Sequence, residues 1–396
     1  MRKLLIAISM LALLTACDKK KDEPEGNAER TVLIYMSAEN NLTNWSGYKY
    51  ADEDLKEIKE GAKSIGNNNL LIYVSKAVKD ELPYLLHYRK GELRDSIVID
   101  QEEKLPCDPE VFEKVTRKAF TEYPANSYGL VLWGHATGWE IRNDSIAYTS
   151  VTARQKAYGG SNKNNSTSGS GTLWMNIPTM ANVLRKVPHL KFIFCDCCQM
   201  MCVENAYELR DVTDYLIGSP AEIPAVGAPY NTVVPAMMDK DNFYMTIIDR
   251  YYEQKLQSGK KVPLSVVKTS EMQALAYATR TVLKTMDFSS STYPIMTDLI
   301  YYCDYNFYDM NHFILTYASE ADYTNWKKAF DNAVVYKKFA SRWDTSYHVY
   351  FDFDINEQTY GGLSMFVPRY NLRFTDNTTI SKMAWYYTAG YSEIGW

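Results

Sequence analysis

Short apolar runs rich in strand-forming residues alternate with amphipathic segments along the first half of the chain. The runs are residues 31–36, 70–75, 130–133, 191–195 and 215–218. Segments with helical spacing of apolar side chains are residues 51–65, 109–119, 180–187 and 200–210. This alternation predicts an α/β fold in which helices cover both faces of a mostly parallel sheet. Residues 84–99 alternate like a hairpin.

The carboxyl ends of the predicted parallel strands carry the most reactive side chains. His135 follows the run 130–133 after Gly134, and Cys197 and Cys198 follow the run 191–195. Ligands of such sheets bind beyond the carboxyl ends of the strands. We therefore expect the histidine and one of the cysteines to meet at this edge.

The pattern becomes mainly helical after about residue 235. Helical spacing is predicted at 242–256, 270–286 and 322–340, and strands return at 347–353 and 362–367. We interpret residues 31–235 as a core and residues 236–396 as a C-terminal extension packed on it. A stretch rich in Gly, Ser and Asn at 158–172 is predicted to be a flexible insertion.

The N-terminus has the pattern of a secretory signal peptide. Arg2 and Lys3 precede the apolar residues 4–14, which are too few to span a bilayer. The following Thr15-Ala16-Cys17 resembles a bacterial lipobox, so residues 1–16 would be removed and Cys17 lipidated. The alternative is an ordinary signal peptide that contains a cysteine.

Residues 17–30 are charged at first and carry no apolar pattern before Thr31, which indicates a solvated tether. Lys21-Asp22-Glu23 resembles surface-export signals of some lipoproteins, although a charged tether would look the same. The predicted location is outside the cytoplasm, anchored by lipid to the bacterial outer membrane or cell surface. A formal net charge of -5 without a basic stripe argues against nucleic acid as a partner.

Cysteine placement indicates chemistry or burial rather than a disulfide framework. Four of the seven cysteines crowd together at 195, 197, 198 and 202, whereas a disulfide scaffold would spread them along the chain. A strand ending near Cys195 and a helix beginning near Gln199 would place Cys198 at a helix N-terminus. The helix dipole would lower the pKa of a thiol there.

His135 is the best candidate to activate a thiol, because a strand delivers it into a glycine-flanked turn. The other histidines, at 87, 189, 312 and 348, lack such a turn and are interpreted as structural. A zinc site is an alternative for the cysteine cluster, although structural zinc usually takes two separated pairs of ligands.

Two motifs together resemble the clostripain family of cysteine peptidases. They are Gly-His-x-x-Gly-Trp at 134–139 and Asp-x-Cys-x-Met-x-x-Val-Glu-x-Ala-Tyr-Glu-Leu at 196–209. The resemblance extends to residues 31–36 with Asn41-Leu42, to 219–230, and to 362–364 with Pro368. It implies a caspase-like fold and an endopeptidase acting on peptides or proteins.

The resemblance assigns roles to individual residues. Cys198 would be the nucleophile and His135 the general base and acid, whereas Cys197 fills a position usually held by a small residue. The backbone N–H groups of Ala136 and Cys198 would form the oxyanion hole. Ala136 departs from the glycine that the family usually has, so we expect weakened activity unless its φ is negative.

The family typically cleaves after Arg or Lys, and acidic residues receive the P1 side chain. Asp196 matches one of these acids, although a helix N-cap is an alternative role for it. Val226 stands where the second acid is expected, so the P1 pocket is predicted to be altered.

Three further expectations follow from the resemblance. Members often mature by cleavage between the histidine and the cysteine, which makes Arg154, Lys156 and Lys163 candidate processing sites; a plain surface loop is the alternative. Calcium supports some members, but the sequence shows no clean acidic loop, and the chemistry requires no cofactor. Finally, Ala136 and Val226 motivate an alternative function as a catalytically impaired binding lipoprotein.

Overall fold

A computed structural model describes residues 27–102, 104–141, 157–162, 172–254, 256, 261–287, 299–302, 307–340, 343, 355–368 and 377–396. Its strands are β1 (Ala28–Ala38), β2 (Asn69–Lys76), β3 (Tyr84–Arg89), β4 (Glu92–Val98), β5 (Ala125–Trp133), β6 (Tyr158–Ser161), β7 (Leu173–Met175), β8 (Leu190–Asp196), β9 (Thr213–Gly218), β10 (Leu264–Lys268), β11 (Tyr308–Asp309), β12 (Val334–Lys338) and β13 (Ser364–Met365). Its α-helices are α1 (Tyr50–Ala62), α2 (Pro109–Glu122), α3 (Ile177–Leu184), α4 (Val203–Glu208), α5 (Tyr230–Met237), α6 (Phe243–Glu253), α7 (Met272–Leu283), α8 (Met310–Tyr317), α9 (Glu320–Ala333), α10 (Asn377–Ile380) and α11 (Ala384–Thr388).

Within these residues, a nine-stranded sheet has the order β12-β10-β9-β8-β5-β1-β2-β3-β4. The central strands from β9 to β2 pair in parallel. The outer strands on both sides pair antiparallel. The predicted α/β fold with a mostly parallel sheet is therefore confirmed, as is the hairpin at 84–99.

Helices cover both faces of the sheet because its central strands are apolar on both sides. In β1, Val32 and Ile34 face a cluster that includes α1, α5 and α6. The alternate residues Leu33 and Tyr35 face a second cluster that includes α2, α3, α4, α7 and α9. This period of two explains why the buried strands read as continuous apolar runs.

Helix α2 begins where the sequence indicated. Pro109 is its first residue, and the Asp108 side chain accepts a hydrogen bond from the Glu110 N–H. An N-cap of this type satisfies a backbone donor that has no partner inside the helix.

Three sequence predictions differ from the structure. The helix expected at 200–210 begins only at Val203, and residues 334–338, expected to be helical, form β12. Pairing of β12 with β10 at the sheet edge overrides the local helical pattern there. Tyr158–Ser161, expected in a flexible insertion, is the buried strand β6, which pairs with β7.

Strand β1 begins at Ala28, within the stretch predicted as a tether to residue 30. Arg30 is buried because its guanidinium donates to the carbonyls of Met237 and Asp239 and lies over the Phe243 ring. The lipobox residue Cys17 lies outside the described residues. None of the helices that the structure describes has the length and apolar character needed to cross a bilayer.

Strands β10 and β12 extend the central sheet, although they lie beyond residue 235. The division into a core at 31–235 and an extension at 236–396 stays a prediction.

Candidate active site

The register of the sheet brings His135 and Cys198 to the same place. Strands β5 and β8 are parallel neighbours, and Trp133 pairs with Asp196 at their carboxyl ends. His135 and Cys198 each lie two residues beyond that pair, on strands that are about 4.8 Å apart. The turns that carry them touch: a Cβ added to Gly138 would lie 3.0 Å from the Gln199 carbonyl oxygen.

An asparagine that follows the neighbouring strand β1 orients His135. The His135 Nε2 lies 2.8 Å from the Oδ1 of Asn41, which follows β1 on the other side of β5. With Oδ1 as the acceptor, Nε2 carries the proton, and Nδ1 is the nitrogen that can take a proton from a thiol. Sequence analysis matched Asn41 to the family pattern but gave it no role.

Strand β6 fixes the backbone of the histidine turn. Gly159 donates its N–H to the His135 carbonyl at 2.8 Å, and Thr137 donates to the Ala157 carbonyl at 2.9 Å. The imidazole is therefore held by both its side-chain partner and its backbone.

Cys198 lies in a turn rather than at a helix N-terminus, so the predicted effect of a helix dipole on its thiol is wrong. Helix α4 starts five residues later, at Val203. The intervening backbone instead pairs with other segments, since Gln199 donates to the Ala221 carbonyl and Met201 to the Ser219 carbonyl. Gln199 has φ 59°, a left-handed conformation that costs a non-glycine residue about 1 kcal/mol.

Burial separates Cys198 from its neighbours. The described part of the chain holds five free cysteines, of which four are buried and Cys198 is partly exposed. Burial raises the pKa of the Cys197 and Cys202 thiols well above the ordinary value, so both stay protonated. The Ile223 N–H donates to the Cys198 Sγ, with the nitrogen 3.4 Å from the sulfur.

The predicted oxyanion-hole residues, Ala136 and Cys198, lie in the two contacting turns. Ala136 is not among the described residues with positive φ, so alanine fits there without backbone strain. Its antiparallel bridge to Tyr158 uses the N–H of Thr137 and the carbonyl of His135. The backbone N–H of Ala136 therefore takes no part in the hydrogen bonds of this bridge to β6.

Asp196 is buried at the end of β8, and the alternative role as a helix N-cap is wrong because Cys202 caps α4. Its carboxylate accepts from the Ala228 N–H at 3.1 Å, the Tyr230 hydroxyl at 2.8 Å and the Tyr251 hydroxyl at 3.2 Å. Burial raises the pKa of Asp196 to about 6, although these hydrogen bonds lower it.

A second carboxylate that sequence analysis missed lies beside Asp196. A Cβ added to Gly227 would lie 2.7 Å from the Asp196 Oδ2 and 3.2 Å from the Asp54 Oδ2, so both face the same turn. Burial and then the charge of Asp196 raise the pKa of Asp54 well above its usual range. In the sequence, Asp54 looks like an ordinary first-turn residue of α1, so no local signal identifies it.

Val226 lies on the outer side of this turn with 38% of its surface exposed.

The described residues include no group of three His, Cys, Asp or Glu side chains placed to hold a metal ion. The described residues therefore give no support to the zinc alternative. Arg154, Lys156 and Lys163 lie outside the described residues.

Comparison with known proteins decides the family. The family model of the clostripain family, Peptidase_C11, matches residues 34–386 of this chain. The chain belongs to the clostripain family. This membership makes it a cysteine peptidase and confirms the resemblance seen in the sequence. No curated protein shows a significant match.

Solved structures of other cysteine proteases have the same fold. A secreted C11 cysteine protease from Bacteroides thetaiotaomicron, solved with an irreversible peptide inhibitor, is 29% identical with a TM-score of 0.75; the match covers 92% of this chain and 100% of that chain. An inactive zymogen C11 protease from Parabacteroides distasonis is 30% identical with a TM-score of 0.73, covering 92% and 99%. A cysteine protease from B. fragilis is 33% identical with a TM-score of 0.52, covering 58% and 98%.

Proposed function

We propose that this clostripain-family peptidase hydrolyses peptide bonds of extracytoplasmic polypeptides through a dyad of Cys198 and His135. The observation that carries the proposal is the β5–β8 register, which leaves both residues two positions beyond a paired strand end. The partial exposure of Cys198 among buried cysteines supports it as the nucleophile.

The proposed reaction begins when His135 takes the proton of the Cys198 thiol. The thiolate attacks the substrate carbonyl carbon, and the N–H groups of Ala136 and Cys198 bind the resulting oxyanion. His135 then gives its proton to the leaving amine, and a thioester remains on Cys198. A water molecule, deprotonated by His135, hydrolyses the thioester and releases the second product.

We propose that the P1 pocket forms around the Gly227 turn. Asp196, whose pKa of about 6 leaves it mostly ionised at pH 7, supplies negative charge beneath this turn, which favours Arg or Lys at P1. The apolar, exposed Val226 stands in place of a second acid at the rim, so the enzyme also accepts uncharged P1 residues.

The proposed location is extracytoplasmic, with a lipid on Cys17 anchoring the chain to the outer membrane or cell surface. The lipobox-like residues and the secreted Bacteroides thetaiotaomicron relative support it. Partitioning into detergent that disappears in Cys17→Ala is the expected result, and a variant that still partitions would contradict it.

The dyad is tested by comparing Cys198→Ala with Cys197→Ala. We expect Cys198→Ala to abolish cleavage of a diverse peptide library and labelling by a peptidyl acyloxymethyl ketone. Cys197→Ala, its matched control, keeps labelling because Cys197 is buried and protonated. Labelling that survives in Cys198→Ala, or a wild type that neither cleaves nor labels, would contradict the dyad; the latter result favours a binding lipoprotein.

Wild type and Cys198→Ala also serve to test self-processing and the P1 specificity. We propose self-cleavage after Arg154, Lys156 or Lys163, so wild type should give two fragments on a denaturing gel while Cys198→Ala stays intact. Library cleavage confined to Arg and Lys at P1 would rule out an altered pocket.

A further inference from the structure

A second cleft of about 740 Å³ opens at the same edge of the sheet as the candidate active site. It is lined by residues that follow β2, precede β3 and end or follow β4. Three large apolar side chains exposed at the surface line it: Val78 at 42%, Leu82 at 64% and Val98 at 59%. Apolar side chains exposed together in a concave surface are typical of a binding site.

The wall of the cleft is linked to the surroundings of His135 by hydrogen bonds. Its lining includes Glu39, two residues before Asn41, the partner of His135. The Glu39 carbonyl accepts from the Asn162 N–H at 2.7 Å, and Asn162 directly follows β6, which pairs with the histidine turn. Hydrogen bonds through two backbone segments, residues 39–41 and 158–162, therefore connect His135 to the wall of the cleft.

Strand order determines which half of a substrate would reach this cleft. Cys198 follows β8, His135 follows β5, and the cleft lies beyond them at the ends of β2 and β3. Asp196 and the Gly227 turn lie on the opposite side of His135, at β8 and after β9. Because His135 must protonate the leaving amine, the residues after the scissile bond extend on the His135 side.

The separation fits a short extended peptide. From β8 to β2 there are three strand spacings, which is about 14 Å at 4.8 Å each. An extended chain advances about 3.3 Å per residue, so the cleft is roughly four residues beyond the scissile bond. Charged residues of both signs also line the cleft; of these, Lys76 pairs with Asp52 and Glu81, and Lys104 pairs with Glu110. The exposed apolar side chains are the feature on which a preference for apolar residues would rest.

We infer that this cleft is a substrate subsite that binds apolar side chains at P3′ to P5′, the third to fifth residues after the cleaved bond. The inference rests on the proposed peptidase function. It identifies Val78, Leu82 and Val98 as specificity-determining residues.

The experiment uses full-length protein and three substrates with the P1 residue that wild type cleaves best. Two are internally quenched peptides that differ only at P3′ to P5′, with leucines in one and serines in the other. The third is a coumarylamide with no residues after the scissile bond. We expect wild type to cleave the leucine peptide about tenfold better than the serine peptide in kcat/KM.

Leu82→Asp and Val98→Asp should each remove this preference and leave coumarylamide hydrolysis at the wild-type rate. Leu93→Asp is the matched control, since Leu93 is an exposed apolar residue of β4 outside the cleft. It should retain the preference.

Equal cleavage of both peptides by wild type, a preference that survives both variants, or an equal loss on the coumarylamide would overturn the subsite. Wild-type inactivity toward all three substrates would instead count against the proposed peptidase function. The two failures are therefore distinguishable.

Discussion

At the scale of single residues, the histidine turn depends on an amide from another strand. Asn41 Oδ1 binds the Nε2 side of His135, so Nδ1 is the nitrogen that can accept a proton. Asn41 is itself held in a short 3-10 turn, Asn41–Thr43, that begins three residues after Ala38, the last residue of β1. We therefore assign Asn41 as a positioning residue.

Replacing Asn41 by alanine should reduce kcat about 10- to 100-fold and leave KM nearly unchanged, because the substrate does not bind this side chain. Steady-state kinetics on a coumarylamide measure both parameters. Asn44→Ala is the matched control, since Asn44 ends the same turn and bonds to Gly47 instead of His135. A rise in KM at constant kcat, or an equal loss in the control, would contradict the positioning role.

Residue-scale prediction from sequence is possible where a motif covers the residue and is not possible where only the fold brings residues together. The motif at 196–209 identifies Cys198 among neighbouring cysteines, and its partial exposure agrees. Asp54 has no such motif, because its proximity to Asp196 arises from packing of α1 beneath the Gly227 turn. Because Asp54 and Asp196 are far apart in the sequence, no local sequence pattern predicts that they are neighbours.

At the scale of elements, helix α4 connects the Cys198 turn to the C-terminal strand β13. Ser364 donates its N–H to the Met201 carbonyl, and the Phe366 N–H donates to Glu204 Oε1 at 2.8 Å. Glu204 is fully buried, and burial raises its pKa from 4.5 to about 8. The carboxyl group is therefore mostly neutral in the folded protein at pH 7.

Folding raises the pKa of the Glu204 carboxyl, so its protonation adds to the free energy of unfolding, and the full contribution is present below the pKa of the unfolded chain. This contribution is lost as the pH rises from about 4.5 to about 8 and amounts to about 5 kcal/mol at most. Glu204→Gln keeps an acceptor for Phe366 but cannot ionise. We expect the variant to match wild type near pH 4.5 and to be more stable by several kcal/mol above pH 8.

Urea unfolding monitored by circular dichroism at several pH values measures this difference. Glu208→Gln, on the same helix and bonded to the Ala384 N–H, is the control and should show a smaller effect because Glu208 is less buried. A difference between wild type and Glu204→Gln that stays constant from pH 5 to 8 would disprove the prediction.

Element prediction succeeded for the central strands and failed at the periphery for a physical reason. Strands such as β1 and β8 are apolar on both faces, and that pattern is visible in the sequence. The segment Val334–Lys338 continues the helical pattern of α9 but gains more by pairing with the edge strand β10. Helix α4 starts late because the residues before it pair with the backbone of 219–221 and 364.

At the scale of the whole molecule, residues beyond 235 complete both the sheet and the site. Strand β10 pairs with β9, and the Tyr251 hydroxyl donates to the Asp196 carboxylate. One apolar cluster contains side chains from both parts of the chain, such as Leu33 and Trp326. We therefore expect the predicted core and extension to unfold as one cooperative unit.

A cavity made in the extension tests this expectation by its effect on the core. Trp326 is buried, stacks near Phe330 at 4.9 Å and donates to Thr279, so Trp326→Ala should destabilise the protein by about 3–5 kcal/mol. The background carries Cys17→Ser, Cys198→Ala and Cys303→Ser. Its remaining thiols are buried and all precede residue 235.

Exposure of these thiols to a colorimetric thiol reagent in urea reports unfolding of the core, and circular dichroism reports the whole chain. One cooperative unit requires the two midpoints to coincide and to fall together in Trp326→Ala. Val226→Ala is the matched control because Val226 is exposed, and it should move neither midpoint. If Trp326→Ala shifted the dichroism transition and left thiol exposure at its original urea concentration, the extension would be a separate domain. The shared sheet between β9 and β10 would then contribute little to the stability of the site.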